Sequence, residues 1–368
     1  MRVLVDLTFI TANGHSGVQT FALRLIQELV RYNTIDFIFM VSDDGKERVN
    51  NLVHGHIVVY NPQTPLSKRF YWFNRFYYAK RMNSIAKIEK AEVYLIPYVR
   101  VNGLTCDSIR QVGIVHDMAS CYLSGSIKNF VSRLFFIPLL RSMDKLIAIS
   151  NNTKKEIIEI ANISNDKVDV VYNSMVPPKS GIMPFETNSP YILYVNTLEK
   201  YKNVETLIRA FDLIKESIPH KIIIKARKTT HYEQYISPLI EKLGLTARIQ
   251  LIEEIFTDDQ MTALYKGADL FVSSSTMEGF GYTPIEAAIN QCPVICSDIP
   301  ALLESTMGLL NYYHDPYDYH ELSKLILDTL STSANLNLIK ISSELLRTYS
   351  VEKQAKEIIK VIEYTYGN

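Results

Sequence analysis

The stretch DLFVSSSTMEGFGYTPIEAAINQCPVICSD, residues 269–298, decides how this chain is read. Two short strand-like runs, 269–275 and 293–298, flank a glycine-rich turn and an apolar helical segment. Strand, helix and strand at this spacing predict one repeat of a parallel α/β sheet. Thr283 is the expected N-cap of the helix and Pro284 suits its first helical position. The amides around Gly281, Tyr282 and Thr283 would then point out of a helix N-terminus, where an anion is favoured. Glu278 stands on the loop before that turn. Glu286 is expected in the first helical turn, where the macrodipole favours its charge. A carboxylate beside an anion site repels the anion, so hydroxyls such as those of ribose or hexose are better partners. The alternative is that both glutamates only stabilise the helix start.

The same alternation extends in both directions. Upstream strand candidates are 3–9, 36–42, 57–61, 92–98, 111–117, 145–150 and 168–173, with helical patterns between most of them. Then comes NSMVPPKSGIMPFETNSP (173–190), rich in Pro, Ser and Asn and without periodicity, which reads as a linker. Beyond it lie 191–197, 221–227, 249–254, 269–275, 293–298 and 308–314. The expectation is two doubly wound parallel sheets: an N-terminal domain over 1–172 and a C-terminal domain over 191–345. The segment 346–368 reads as a helix that crosses back to the first domain. Ligands of such sheets bind beyond the carboxyl ends of the strands, so a cleft between the domains is the expected site.

Totals exclude several classes. A chain of 368 residues exceeds one ordinary core, which also favours two domains. With 39 basic and 39 acidic residues, overall charge points to no nucleic-acid partner. Four cysteines (Cys106, Cys121, Cys292, Cys296) suggest buried, reduced thiols in a cytoplasmic protein. Neither a signal peptide nor an apolar run near the roughly 20 residues of a membrane span is expected.

Two further glycine- or lysine-bearing turns fall at strand ends. In TANGHSGVQTF (11–21) a helix opens near Gly17, and glycines there let backbone amides approach a phosphate or simply meet a steric need. In NTLEKYKNVETLIRAF (196–211), Lys202 stands just before a helix whose apolar face is Val204, Leu207, Ile208 and Phe211. It is either a solvated surface lysine or a cation for a diphosphate whose charge grows as a bond breaks.

Taken in order, GVQTFALRLIQEL, VHDM, IAISNNTKKEI, VVYNS, ILYVNTLEKYKNVETLIRAF, LYKGADLFVSSSTMEGFGYTPIEAA and PVICSDIPALLE make the chain resemble retaining glycosyltransferases of family 4. The resemblance implies the GT-B architecture, two Rossmann-like domains facing across a cleft, and transfer of a hexose from a nucleoside diphosphate sugar. It implies that Glu278 lies against the transferred sugar, Glu286 on the ribose hydroxyls and Lys202 on the diphosphate. Phe280, Gly281, Tyr282 and Thr283 would offer backbone amides to sugar and phosphate. His116 matches a family histidine near the reacting centre, its alternative being a capping role beside Asp117. Gly14 to Gly17 would approach the donor phosphates or the acceptor, and Ile255 with Phe256 the base. No metal and no cofactor are implied, the sugar nucleotide being a co-substrate. The chain departs from the pattern where the family commonly has glycine and arginine: here stand Asn196 and Thr197. Thr197 lacks the cationic fork of arginine, and Arg227 or Lys228 on the next strand-end loop is a candidate replacement. Tyr201 occupies a second position that is often basic.

The acceptor implied is a hydroxyl of a glycan or polyprenyl-linked glycan in surface polysaccharide synthesis, with GDP-mannose the favoured donor. SKRFYWFNRFYYAKRMNSIAKIEK (67–90) interleaves seven basic residues with aromatics. It reads either as a binder of an anionic membrane surface or as a helix packing its aromatics on the sheet. The first reading puts the protein on the inner face of the plasma membrane. A rival for the whole chain is a catalytically silent partner or glycan-binding protein.

Overall fold

In a computed structural model, the described residues are 1–367 apart from 15, 54, 61–70, 101–104, 123–125 and 333–336. Side chains of 71–79, 120, 126–128, 131 and 132 are likewise outside the description. The chain divides into two compact units, Met1–Ser174 with Tyr349–Asn368, and Met175–Thr348.

The first unit holds seven strands: β1 (Arg2–Leu7), β2 (Asp36–Val41), β3 (His56–Val59), β4 (Val93–Ile96), β5 (Arg110–Val115), β6 (Lys145–Ala148) and β7 (Val168–Val170). Its helices are α1 (Gly17–Leu29), α2 (Asp43–Asn50), α3 (Tyr71–Ile88), α4 (Ser126–Ser142) and α5 (Asn151–Ala161). All strands pair in parallel in the order β3-β2-β1-β4-β5-β6-β7, so the winding reverses between β1 and β4. Val3, Leu4, Val5 and Leu7 are fully buried, as expected of a strand covered on both faces.

The second unit contains β8 (Tyr191–Val195), β9 (Lys221–Lys225), β10 (Ile249–Ile252), β11 (Leu270–Ser273), β12 (Val294–Ser297) and β13 (Asn311–Tyr313). Between and after them run α6 (Val204–Ile214), α7 (Ser237–Lys242), α8 (Asp258–Gly267), α9 (Tyr282–Ile289), α10 (Pro300–Ser305), α11 (Tyr319–Thr332) and α12 (Leu338–Thr348). The parallel order β10-β9-β8-β11-β12-β13 places its reversal between β8 and β11. Val204, Leu207, Ile208 and Phe211, the apolar face read from the sequence, are all buried in this unit's core.

The final helix, α13 (Val351–Gly367), packs on α1, β4, β5 and β6 of the first unit. Gln354 fastens its start: its carbonyl accepts from Ser174 Oγ at 2.8 Å and its amide donates to Tyr172 O at 2.9 Å. The segment after Ser174 lies along α8 of the second unit. Phe185 N donates to Ala263 O at 2.9 Å, and a Cβ on Gly267 would stand 2.5 Å from Phe185 O. The Pro- and Ser-rich stretch is therefore docked backbone. Its lack of periodicity reflects missing secondary structure, not missing contacts.

All thirteen strands read from the sequence occur, though most stop one to three residues earlier than their apolar runs. The surplus residues leave the sheet at its carboxyl edge, where most of the candidate site residues stand.

Candidate active site

At the reversal of the second sheet, the loops leaving β8 and β11 are tied together. Thr276 N donates to Tyr201 O at 2.8 Å, and Ser274 Oγ donates to Asn203 O at the same distance. Asn203 caps α6 in the left-handed region at φ 54°, a conformation asparagine tolerates better than most residues. Its amide holds Ser274 O and Pro316 O at 3.1 and 2.7 Å. These bonds fix two side chains. Lys202 Nζ meets Glu278 Oε2 at 2.7 Å, with the side chains only 11% and 10% exposed. Lys202 is therefore a buried ion-pair partner, and its description as a solvated surface lysine fails. Taking two charges out of water is costly unless each finds further partners. Glu278 has them: Oε1 accepts from Ser275 Oγ at 2.8 Å and from Asn196 Nδ2 at 3.3 Å. The Lys202 ammonium also sits over the Tyr201 ring, 5.0 Å from its centroid.

The glycine turn follows. Gly281 has φ 86°, and a Cβ there would lie 2.3 Å from Leu302 Cδ2, so only glycine fits. The helix begins earlier than the sequence suggests. Gly281, not Thr283, is the N-cap, and Tyr282 is the first helical residue. Thr283 and Pro284 fall inside the first turn, where proline sacrifices no intrahelical bond. In consequence Glu286 lies in the second turn rather than the first, which has no acidic residue. What holds it is a partner from another helix: Tyr265 OH donates to Glu286 Oε2 at 2.9 Å. Tyr265 is buried, and burial beside the Glu286 carboxylate pushes its phenol well above the ordinary range. Phe280 is buried against Tyr282, edge to face at 5.4 Å.

Thr197 is exposed, and its amide is bound by the Asn196 carbonyl oxygen at 2.9 Å. Arg227 stands exposed beyond β9, while Lys228 is engaged with Glu253 at 3.1 Å. Ile255 lies on the loop after β10, more than half exposed. Beside it, Phe256 packs on Phe185 and carries the Lys225 ammonium 4.9 Å from its ring centroid.

The remaining candidates belong to the first unit. Gly17 opens α1 behind the N-cap Ser16, and a Cβ there would meet nothing within 4 Å. At Gly14 a Cβ would meet the end of the Gln19 side chain, which would have to swing aside. His116 follows β5, buried between the rings of Phe21 and Tyr98 at 4.6 and 5.7 Å. Its Nε2 donates to Pro97 O at 3.0 Å, which leaves Nδ1 as the acceptor. Burial pushes the imidazole below its ordinary value, so the neutral form is favoured. Asp117 makes a local turn instead, its Oδ1 accepting from Ala119 N at 3.0 Å.

Sequence reasoning missed Ser275 and Tyr265 and treated Asn196 only as a departure. A buried tyrosine on α8 needs a hydroxyl partner, which was the available signal for Tyr265. Among the described residues, no group of three His, Cys, Asp or Glu stands where it could hold a metal ion. No described helix is long and apolar enough to cross a membrane.

Comparison with known proteins agrees with this fold. Residues 15–175 match the family model described as Glycosyltransferase Family 4, and residues 179–341 match Glycosyl transferases group 1. The O-antigen chain mannosyltransferase RfbU of Salmonella typhimurium is 30% identical over 209 residues, 55% of this chain and 56% of the relative. The serotype-specific mannosyltransferase WbdA of Escherichia coli is 26% identical over 205 residues, 52% of this chain but 25% of that protein. The match thus spans about half the length of the first relative and a quarter of the second. Among solved structures, sucrose-phosphate synthase from Thermosynechococcus elongatus superposes with a TM-score of 0.78 at 14% identity, covering 100% of this chain and 99% of its own. HepE from Anabaena, solved in complex with UDP and glucose, gives 0.73 at 16% identity, covering 99% of each chain. The chain thus joins a Glycosyltransferase Family 4 domain to a Glycosyl transferases group 1 domain, in two parallel-sheet α/β units of GT-B type.

Proposed function

We propose that the protein transfers a hexose from a nucleoside diphosphate sugar to a hydroxyl of a glycan or polyprenyl-linked glycan, with retention at the anomeric carbon. The observation that carries this reading is the buried Lys202–Glu278 pair, 2.7 Å apart, at the reversal of the second sheet. As the bond to the sugar loosens, negative charge grows on the departing diphosphate, and a preorganised ammonium stabilises it. Glu278 would hold a sugar hydroxyl and face the positive charge that develops on the ring. Glu286, braced by Tyr265, would take the ribose hydroxyls. Phe280, Gly281, Tyr282 and Thr283 would present the amide end of α9 to phosphate and sugar. Thr197, Arg227, Ile255 and Gly17 would line the donor site. His116, neutral with Nδ1 as acceptor, would receive a hydrogen bond from a sugar or acceptor hydroxyl. No metal or organic cofactor is required in this scheme. Turnover unchanged by EDTA is the expected result.

The names of the Salmonella and Escherichia relatives favour mannose, and GDP-mannose is the first donor to try. Hydrolysis without acceptor, measured across GDP-, UDP-, ADP- and dTDP-sugars, should reveal one preferred donor. Glu278→Gln should lower that rate by about 100-fold or more while the folded secondary structure is kept, with melting lowered because the buried Lys202 ammonium loses its counter-charge. Nucleotide binding without turnover of any donor would instead favour the silent glycan-binding reading.

Attachment to an anionic membrane surface is part of the proposal. Phe130 and Leu134 stand exposed one turn apart on α4, beside the exposed Arg133. The basic aromatic segment 67–90 falls outside the described residues at 67–70 and outside the described side chains at 71–79. Co-sedimentation with anionic liposomes at low salt is the expected outcome. Its absence would remove the membrane from the scheme.

A further inference from the structure

The two oxygens of Glu278 are held by different kinds of partner. Oε2 takes the Lys202 ammonium at 2.7 Å, and Oε1 takes two neutral donors, Ser275 Oγ and Asn196 Nδ2. A diphosphate competes for the ammonium, and a sugar hydroxyl needs Oε2. On donor binding, the Lys202 contact is the one that must weaken. The donors on Oε1 face no such competition. Asn196 is itself oriented, because its carbonyl oxygen accepts the Thr197 amide at 2.9 Å and so turns its nitrogen toward Glu278. Neither bond could be made by glycine, the residue the family resemblance implies at this position.

The geometry points to Asn196 as a positioning residue that keeps Glu278 aimed while Lys202 turns to the diphosphate. This rests on the reading of the site as a sugar-nucleotide site. Asn196 touches neither substrate nor reacting atoms in this scheme and acts through Glu278. Its two bonds can be separated chemically. Asn196→Asp keeps an oxygen for the Thr197 amide but loses the donor to Glu278. Asn196→Ala loses both.

With GDP-mannose as donor, or whichever sugar nucleotide the donor panel selects, Asn196→Asp, which sets a second carboxylate against Glu278, should melt below the wild type and lose about 10- to 100-fold in kcat. Asn196→Ala should lose a similar factor in kcat while binding GDP, or the matching nucleoside diphosphate, within about twofold of wild type. A purely structural role in the turn would spare the Asp variant. Wild-type kcat in Asn196→Asp would therefore overturn the inference while leaving the transferase reading intact. The contact is tested separately by a stability cycle between Asn196→Ala and Glu278→Ala. Coupling of about threefold or more in the unfolding constant is expected, and additive effects would overturn the contact. A wild-type chain that turns over no donor would overturn the transferase reading, and with it the catalytic part of this one.

Discussion

A hydroxyl that reaches one carboxylate oxygen is the smallest device in this molecule with a measurable consequence. Tyr265 OH braces Glu286 Oε2, and a Tyr265→Phe variant keeps the buried ring while deleting the bond. If Glu286 holds the ribose, donor KM should rise about three- to tenfold with kcat nearly unchanged, because the interaction is made equally before and during reaction. Steady-state kinetics at varied donor concentration checks this. His116 makes a second residue-scale prediction. Its burial holds the folded-state imidazole below the ordinary value, so the unfolded chain binds the proton first as pH falls. Stability of the first unit is therefore full above about pH 6.5 and is lost as pH falls from there toward the depressed folded value. Melting between pH 7.5 and 5 should fall less in His116→Gln than in the wild type. An equal fall in both would refute the assignment.

At the scale of elements, the loops and not the strands separate what the sequence revealed from what it hid. Apolar, mostly β-branched runs marked the inner strands because a parallel sheet covered on both faces demands continuous apolar residues, whereas β13, Asn311–Tyr313, has no β-branched residue. The runs overshot their strands since Asn196, Thr197, Ser274 and Ser275 leave the ladder without a glycine or proline to announce the turn. Glycine and proline at 281 and 284 announced a helix start, but the left-handed φ of Gly281 moved the cap two residues upstream. Spacing gave the neighbourhood of Glu278 and Glu286. It could not give their partners, since Asn196, Lys202 and Tyr265 approach from loops and helices distant in sequence. Gly281→Ala tests the turn: left-handed strain plus the Leu302 contact should cost about 2–4 kcal/mol, seen as a lowered denaturant midpoint for the second unit.

The whole chain passes from the first unit to the second after Ser174 and returns before Tyr349. Within the first unit, the rings of Tyr172 and Tyr349 meet edge to face at 5.7 Å, so departure and return lie side by side. Gln354, almost fully buried, ties the returning helix to the departing segment through Ser174 and Tyr172. Gln354→Ala should cost about 2–3 kcal/mol by leaving polar groups without partners. Amide exchange should quicken in β4, β5 and α13 while the second unit keeps its protection.

The buried face of α13, formed by Ala355, Ile358, Ile359 and Ile362, belongs to a helix that packs on α1, β4, β5 and β6, all within the first 174 residues. During synthesis those residues leave the ribosome long before their closing helix exists. The second unit is encoded without interruption, so every one of its strands is available before the first unit's last helix has been made. The domain that starts first must wait, with the apolar surface beneath α13 open, until the domain inside it has been translated.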